Sequence, residues 1–162
     1  MPEQTTIQVS KETAKILKSL GDTYEGAIKW LIIGAAAQPS EQLDFKEVTP
    51  ALTTTTEDRF ISYDGVITQV IVVFPAGCFD TSNNKYLVDA RLKYISPKGR
   101  VWYVLPSRDD AYLSLNDTTV TFNISFPVEK GGKLTWEVRN YDGSFSHQVA
   151  CYAVLIKKPV LK

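Results

Sequence analysis

Histidine and cysteine, on which many catalytic and metal sites depend, are scarce in this chain. Among 162 residues there is one histidine, His147, and there are two cysteines, Cys78 and Cys151. A Ser-His-Asp or Cys-His site would have to use His147, and the sequence contains no G-x-S-x-G elbow, no C-x-x-C pair and no H-E-x-x-H motif. We therefore predict that the protein is not an enzyme and that it has no catalytic residue, no metal site and no cofactor.

The two cysteines are also too few for a disulfide framework. Both lie in the β-rich part of the chain, where the fold could bring them together as a single pair. Alternatively, each is a buried thiol that packs like a small apolar side chain. The sequence favours two buried thiols.

An excess of one charge and long apolar runs are lacking as well. The 18 basic side chains balance the 18 acidic ones, so the overall charge does not point to nucleic acid, membrane or a charged substrate. The longest apolar stretch, around residues 30–37, is too short to cross a bilayer. The N-terminal residues show no signal-peptide pattern. We therefore expect a cytoplasmic protein that has no membrane partner.

The chain changes character near residue 50, which predicts two parts. Residues 1–34 have helical periodicity. Residues 35–56 contain two prolines and four consecutive threonines without a sustained period, which is typical of a linker that holds at most one short ordered piece, at Leu43–Val48. Residues 57–162 show the period of two that is typical of strands. The predicted fold class is therefore α+β in two parts, with a short N-terminal segment followed by an antiparallel, jelly-roll-like β-sandwich.

The β-rich part is predicted to contain about eight short strands separated by turn residues. These strands are Arg59–Tyr63, Val66–Phe74, Leu87–Ile95, Arg100–Leu105, Ala111–Leu115, Thr118–Phe126, Leu134–Asn140 and His147–Lys157. Asp64-Gly65 is a hairpin signal between the first two. The last strand is apolar on both faces, so it is either central in its sheet or covered on its outer face.

Aromatic side chains could line a stacking surface in this part of the chain. Trp102 and Trp136 fall on positions that the alternation turns inward, so we expect both in the core. The better candidates for exposed aromatic side chains are Tyr103, Tyr112 and Tyr152.

The first 34 residues form a pattern of one strand and two helices. Residues 5–10 alternate polar and apolar side chains, Ser10 can cap a helix over Lys11–Leu20, and Gly21 can end it. A second helix is predicted from Thr23 to about Ile33. So short a segment cannot bury its apolar faces alone, and a single strand leaves an unpaired edge. We therefore expect a homodimer or a higher homo-oligomer.

The residues Thr5-Thr6-Ile7-Gln8-Val9-Ser10-Lys11-Glu12-Thr13 carry a resemblance to a known family. This string resembles ribbon-helix-helix proteins of the Arc and MetJ type, and it looks most like archaeal and antitoxin members. The resemblance implies that paired strands enter the major groove of double-stranded DNA. By position, the base contacts would be Gln4, Thr6 and Gln8, and the phosphate contacts would be Lys11, Thr23 and Tyr24.

The local charge leaves a second interpretation of this segment open. Residues 1–34 contain four lysines and four acidic residues, whereas affinity for DNA depends largely on neutralising phosphates. The segment could therefore serve only as a dimer clasp.

Two main functional hypotheses follow. In the first, the protein is a dimeric DNA-binding transcriptional regulator whose β-sandwich oligomerises or binds a ligand or partner. In the second, it is a structural or interaction protein, such as a virion-associated or assembly module. The stretch from Asn140 to His147, which follows a Lys-Gly-Gly turn and precedes an apolar strand, looks like β-sandwich modules of viral and archaeal accessory proteins. A lectin or carbohydrate-active enzyme is the weakest hypothesis, because no acid pair is identifiable.

Overall fold

The computed structural model of the protein describes residues 40–157, which contain strands and no helix. In chain order the strands are β1 (Ser40–Phe45), β2 (Thr54–Phe60), β3 (Gly65–Phe74), β4 (Phe79–Asp80), β5 (Lys85–Tyr86), β6 (Val88–Ile95), β7 (Val101–Leu105), β8 (Thr118–Val128), β9 (Lys133–Asn140) and β10 (Ala150–Lys157).

The strands form two four-stranded sheets and a small hairpin. The first sheet has the order β1-β10-β3-β8, the second has the order β2-β9-β6-β7, and β4 pairs with β5. Every pairing is antiparallel. The predicted antiparallel β-sandwich is therefore confirmed. The last strand, β10, lies between β1 and β3 and is therefore central in its sheet. This is one of the two arrangements expected for a strand that is apolar on both faces.

A single core lies between the two sheets. Alternation along β6 turns Val88, Ala90, Leu92 and Tyr94 inward, where each is almost fully buried. These side chains belong to one cluster with inward residues of both sheets, the largest of which is Trp136. The Trp136 indole also donates a hydrogen bond to the carbonyl oxygen of Val149 (2.9 Å). The prediction that Trp136 is a core residue is confirmed.

Several predicted boundaries differ from the structure. Within the expected linker, residues 35–56, the structure has β1, which overlaps the ordered piece expected at Leu43–Val48, and the start of β2. The strand expected at Arg59–Tyr63 ends at Phe60, and the stretch Ala111–Leu115 forms only an isolated bridge, between Ala90 and Leu113. The sequence pattern does not show the full extent of β1 and β2, because both lie at sheet edges, where polar side chains are common and the apolar alternation is weak.

The hairpin predicted at Asp64-Gly65 is also wrong, because β2 and β3 lie in different sheets. The residues instead carry the chain from one sheet to the other. Gly65 is needed there for space, since a Cβ atom would lie 2.5 Å from the carbonyl oxygen of Ile156. The turn dipeptide therefore marked the end of one strand and the start of the next, but the two strands are not paired with each other.

The ribbon-helix-helix segment and its predicted dimer clasp, residues 1–34, lie outside the described residues. Within residues 40–157, nothing helical reaches the length and apolarity that a transmembrane span requires.

Candidate functional site

A cleft of about 770 Å³ opens at the end of the sandwich where the β2–β3, β6–β7 and β8–β9 loops meet. We call it the Trp102 cleft. It is lined by Asp64, Tyr94, Ser96, Trp102, Phe126, Pro127, Val128, Glu129 and Lys130. Its volume lies within the range of small-molecule sites. Aromatic side chains form one part of the lining, and carboxylate, hydroxyl and ammonium groups form the rest.

Hydrogen bonds between loops fix the shape of this cleft. The buried hydroxyl of Tyr94 accepts a hydrogen bond from the backbone N–H of Glu129 (2.9 Å), and Asp64 accepts one from the backbone N–H of Lys130 (2.7 Å). Gly132 leaves room for the Tyr94 ring, because a Cβ atom there would lie 2.6 Å from the hydroxyl oxygen. The ring of Phe126 meets that of Tyr94 edge to face at 5.7 Å. The aromatic wall is therefore in place before any ligand arrives.

Trp102 is the exposed aromatic residue of the cleft, with 41% of its surface accessible. The guanidinium of Arg100 lies over the indole at 4.1 Å from the ring centroid, but Arg100 is not among the lining residues. The prediction that Trp102 packs in the core is wrong. Trp102 pairs with Tyr94 at the start of edge strand β7. Its side chain is on the inward face of the strand, but at this edge the opposite sheet does not cover it.

The expected exposure of three tyrosines is not observed either. Tyr103, Tyr112 and Tyr152 are all half-buried, and the more exposed tyrosines are Tyr86 and Tyr141. The alternation of residues along a strand assigns each side chain to one face of the sheet. The neighbouring side chains on that face decide how much of its surface stays accessible.

The outer face of the second sheet carries a second polar site, which we call the Glu137 network. It comprises Glu137 and Arg139 on β9, Arg91 and Lys93 on β6, and Tyr112 on the β7–β8 loop. The Glu137 carboxylate lies 2.9 Å from Arg91, 2.7 Å from Lys93 and 3.3 Å from Arg139. The Tyr112 hydroxyl donates a further hydrogen bond to it (2.7 Å). The Glu137 side chain is only 9% exposed.

These contacts shift the ionisation of two groups. Burial by itself raises the pKa of Glu137, but hydrogen bonds from Lys93 and Tyr112 and the nearby positive charges outweigh it and hold this pKa at about 2. Burial and the adjacent carboxylate raise the pKa of Tyr112 to about 12. Glu137 is therefore a permanent anion and Tyr112 a permanent hydrogen-bond donor near neutral pH.

The opposite end of the sandwich brings Cys78, His147 and Asp142 together. His147 Nδ1 lies 3.8 Å from the Cys78 sulfur, and His147 Nε2 lies 2.9 Å from Asp142 Oδ2. This arrangement has the connectivity of a nucleophilic triad. However, Cys78 has no exposed surface, and burial together with the charge of Asp142 raises its pKa to about 11. A protonated and inaccessible thiol lacks the thiolate character and the exposure that make a cysteine reactive.

Sequence reasoning did not find the contact between Cys78 and His147. A Cys-His site was considered, but the two residues are separated by 69 positions, and no local pattern links positions that far apart. Both cysteines are free and buried, which confirms the prediction of two buried thiols.

The residues predicted to contact DNA lie outside residues 40–157. These are Gln4, Thr6, Gln8, Lys11, Thr23 and Tyr24. Within the described range no group of three or more His, Cys, Asp or Glu side chains is placed to hold a metal ion. The functional candidates that the structure supplies are therefore the Trp102 cleft and the Glu137 network.

Comparison with known proteins gives no family for this chain. No family model matches it, and no curated protein matches it. The recognition of a ribbon-helix-helix family is therefore wrong. The resemblance depends on a short pattern of one strand and two helices, and such patterns recur in unrelated sequences.

Solved structures resemble the chain only weakly. The Yersinia pseudotuberculosis-derived mitogen is 7% identical, with 76% of this chain and 92% of that chain covered and a TM-score of 0.39. A CBM22-1 xylan-binding domain from Paenibacillus barcinonensis is 15% identical, with 73% and 74% covered and a TM-score of 0.36. A serine protease of Aeromonas sobria is 12% identical, with 81% of this chain covered and a TM-score of 0.35; the match spans 30% of that protease. At these TM-scores the similarities identify neither a family nor a function.

Proposed function

We propose that the β-sandwich is a non-catalytic binding domain and that the Trp102 cleft is its ligand site. Of the hypotheses drawn from the sequence, this corresponds to the lectin, which was the weakest because no acid pair is identifiable; a binding site, unlike a glycosidase site, does not need one. The observation that carries the proposal is the 41% exposure of Trp102 inside a cleft whose other walls are ordered by hydrogen bonds. Large aromatic surfaces are normally buried, so an exposed one in a preformed cleft favours a binding role.

The lining favours a ligand that has one flat apolar face and several hydroxyl groups, which is the chemistry of a sugar ring. Trp102 and Phe126 offer apolar surface for such a face. Asp64, Ser96 and Glu129 offer oxygen atoms at the cleft, and these can accept hydrogen bonds from hydroxyl groups. A few polar groups placed around an apolar floor are the usual basis of orientation and specificity in small-molecule sites.

A binding role also accounts better than catalysis for the residues near His147. The Cys78 thiol is buried and protonated, and the structure brings no second nucleophile within hydrogen-bond distance of His147 in the described part of the chain. We also infer that the sandwich is of the jelly-roll type. Its support is the strand order β1-β10-β3-β8 in one sheet and β2-β9-β6-β7 in the other. Apart from the β4–β5 hairpin and the neighbours β6 and β7, each strand is followed in the chain by a strand of the other sheet, as in the two Greek keys of a jelly roll.

Intrinsic tryptophan fluorescence tests the proposal on the full chain. The protein is titrated with a panel of neutral mono- and oligosaccharides, and binding is confirmed by calorimetry. We expect a saturable change for at least one panel member and a loss of at least tenfold in its affinity in Trp102→Ala. The variant should fold, because Trp102 contributes little to the core.

Tyr141→Ala is the matched control, because Tyr141 has a similar exposed fraction, 44%, at the opposite end of the second sheet. It should bind as the natural chain does. A panel without any binder, or equal affinity in Trp102→Ala, would refute the proposed ligand site.

Binding of double-stranded DNA and formation of a homodimer stay predictions. Both depend on residues 1–34, and with the family assignment withdrawn no described residue supports either one.

A further inference from the structure

A second binding site on the Glu137 network is suggested by its position in the second sheet. Arg91 is paired with Glu137 in the β6–β9 ladder, and the next pair on the same face of the sheet is Lys93 with Thr135. These side chains alternate with the core residues of the same strands, so they lie on the face of the sheet turned away from the core. Tyr94 and Trp102 point to the other side. The Glu137 network is thus a different surface from the Trp102 cleft.

The network has more positive than negative charge. Three cations, Arg91, Lys93 and Arg139, contact the single carboxylate of Glu137. The neighbouring Asp58 is already bonded to Lys133 and Thr135. Asp89, opposite Arg139 in the ladder, accepts a hydrogen bond from Ser114. With Lys133, Asp58 and Asp89 included, four cations face three anions, so this surface keeps a positive excess of one charge. Over residues 40–157 as a whole, acidic residues outnumber basic ones.

Donor groups in this network are only partly used. Nη1 and Nη2 of Arg91 bond to the Asp109 carbonyl oxygen and to Glu137, but its buried Nε has no acceptor among the described residues. Arg139 is 3.3 Å from Glu137, its side chain is 37% exposed, and its other side-chain partners are the tyrosines Tyr112 and Tyr141. Buried donors are nearly always paired in folded proteins, and leaving one unpaired costs free energy. Unused donors therefore indicate a missing acceptor.

The two guanidinium groups are also held in place. Both contact the Tyr112 ring, at 4.3 Å from its centroid for Arg91 and 4.1 Å for Arg139. Cation–π contacts of this kind restrict the side chains without using their N–H groups. Guanidinium groups fixed in this way are suited to bidentate bonds with planar or tetrahedral oxyanions.

We propose that the outer face of the second sheet binds a tetrahedral oxyanion, phosphate or sulfate, through Arg91, Lys93 and Arg139. The positive excess on this surface favours an anion over a cation or a neutral ligand. Arg139 is the accessible ligand residue, and Glu137 positions the cations without touching the anion.

The test is a titration of the full chain with sodium phosphate and, separately, sodium sulfate, at ionic strength held constant with sodium chloride. Binding is followed by ¹H–¹⁵N chemical shifts and by the thermal midpoint. We expect saturable binding in the natural chain and a loss of at least tenfold in affinity in Arg139→Gln. Arg139→Gln should fold, because this side chain is partly exposed and Arg91 and Lys93 still neutralise Glu137.

Arg59→Gln is the matched control, since the Arg59 side chain is 40% exposed and lies outside the network; it should bind phosphate normally. Trp102→Ala should also bind phosphate normally, which separates this proposal from the proposed cleft. Equal responses in the natural chain and in Arg139→Gln, or no response beyond that to sodium chloride, would overturn the proposal.

Discussion

Glu137 shows how one residue can have a role that its sequence position does not reveal. The alternation of β9 turns Glu137 away from the core, where a charged side chain is ordinarily solvated. Tyr112, Arg91 and Lys93 cover it instead, and the side chain becomes almost inaccessible. Charges that are buried in this way depend on their partners, because removing one partner leaves the others uncompensated.

Glu137→Gln should lower the free energy of unfolding at pH 7 by about 3 kcal/mol. The folded-state pKa of Glu137, about 2, lies below the ordinary value of 4.5. Stability from the ionised carboxylate is therefore present above pH 4.5 and is lost as the pH falls towards 2. Urea denaturation of both proteins at pH 7, 5 and 3 should show the difference shrinking at the lowest pH.

Glu47→Gln is the control for this prediction. Glu47 is exposed, so its variant should differ from the natural chain by less than about 0.5 kcal/mol at every pH. A pH-independent difference for Glu137→Gln would mean that lost packing, and not lost charge, is responsible.

At the scale of elements, one buried side chain organises the β9–β10 connection. Asn140 is 2% exposed, and its amide nitrogen donates to the carbonyl oxygens of Thr49, Pro50 and Phe145. Its side-chain oxygen accepts a hydrogen bond from the backbone N–H of Asp142 (2.9 Å). One side chain thus joins this loop to the β1–β2 loop, and no period-two pattern could have shown it.

Asn140→Ala should lower the free energy of unfolding by about 2–4 kcal/mol, because several buried backbone groups lose their partner together. Asn123→Ala is the matched control. Asn123 lies on the exposed side of β8 and is bonded only to Gln69 (3.3 Å), so this change should cost less than about 0.5 kcal/mol. Chemical denaturation of the three proteins gives the comparison, and equal losses in both variants would contradict the assigned role of Asn140.

The strands themselves were predictable to different degrees. β3, β6, β8 and β9 were expected within a few residues of their observed bounds, because each has a clear apolar face. β1 and β2 were not, since SEQLDF and TTTEDRF bury few apolar side chains. Edge strands depend on pairing with a neighbour, and that neighbour is distant in sequence.

At the scale of the whole molecule, one apolar cluster joins both sheets of the sandwich. Leu43, Val72 and Leu155 of the first sheet and Leu92 and Trp136 of the second belong to it. Neither sheet can bury its apolar face without the other, so the two sheets should fold together.

A fragment comprising residues 40–157 should therefore fold by itself and unfold in one cooperative transition. Tryptophan fluorescence and far-ultraviolet circular dichroism should report the same urea midpoint. Two separated transitions, or a fragment without ordered amide resonances, would show that the core is not sufficient and that residues outside this range complete it.

The sequence by itself determined that this part of the chain is an antiparallel sandwich, that Trp136 and the inward side chains of β6 are core, and that both cysteines are buried thiols. Each of these follows from local alternation or from composition. Only the tertiary structure decided that Trp102 is exposed, that Glu137 is enclosed by three cations, and that Cys78 meets His147. The physical reason is that burial and charge pairing depend on which strands become neighbours, and that choice is made between residues far apart in the chain.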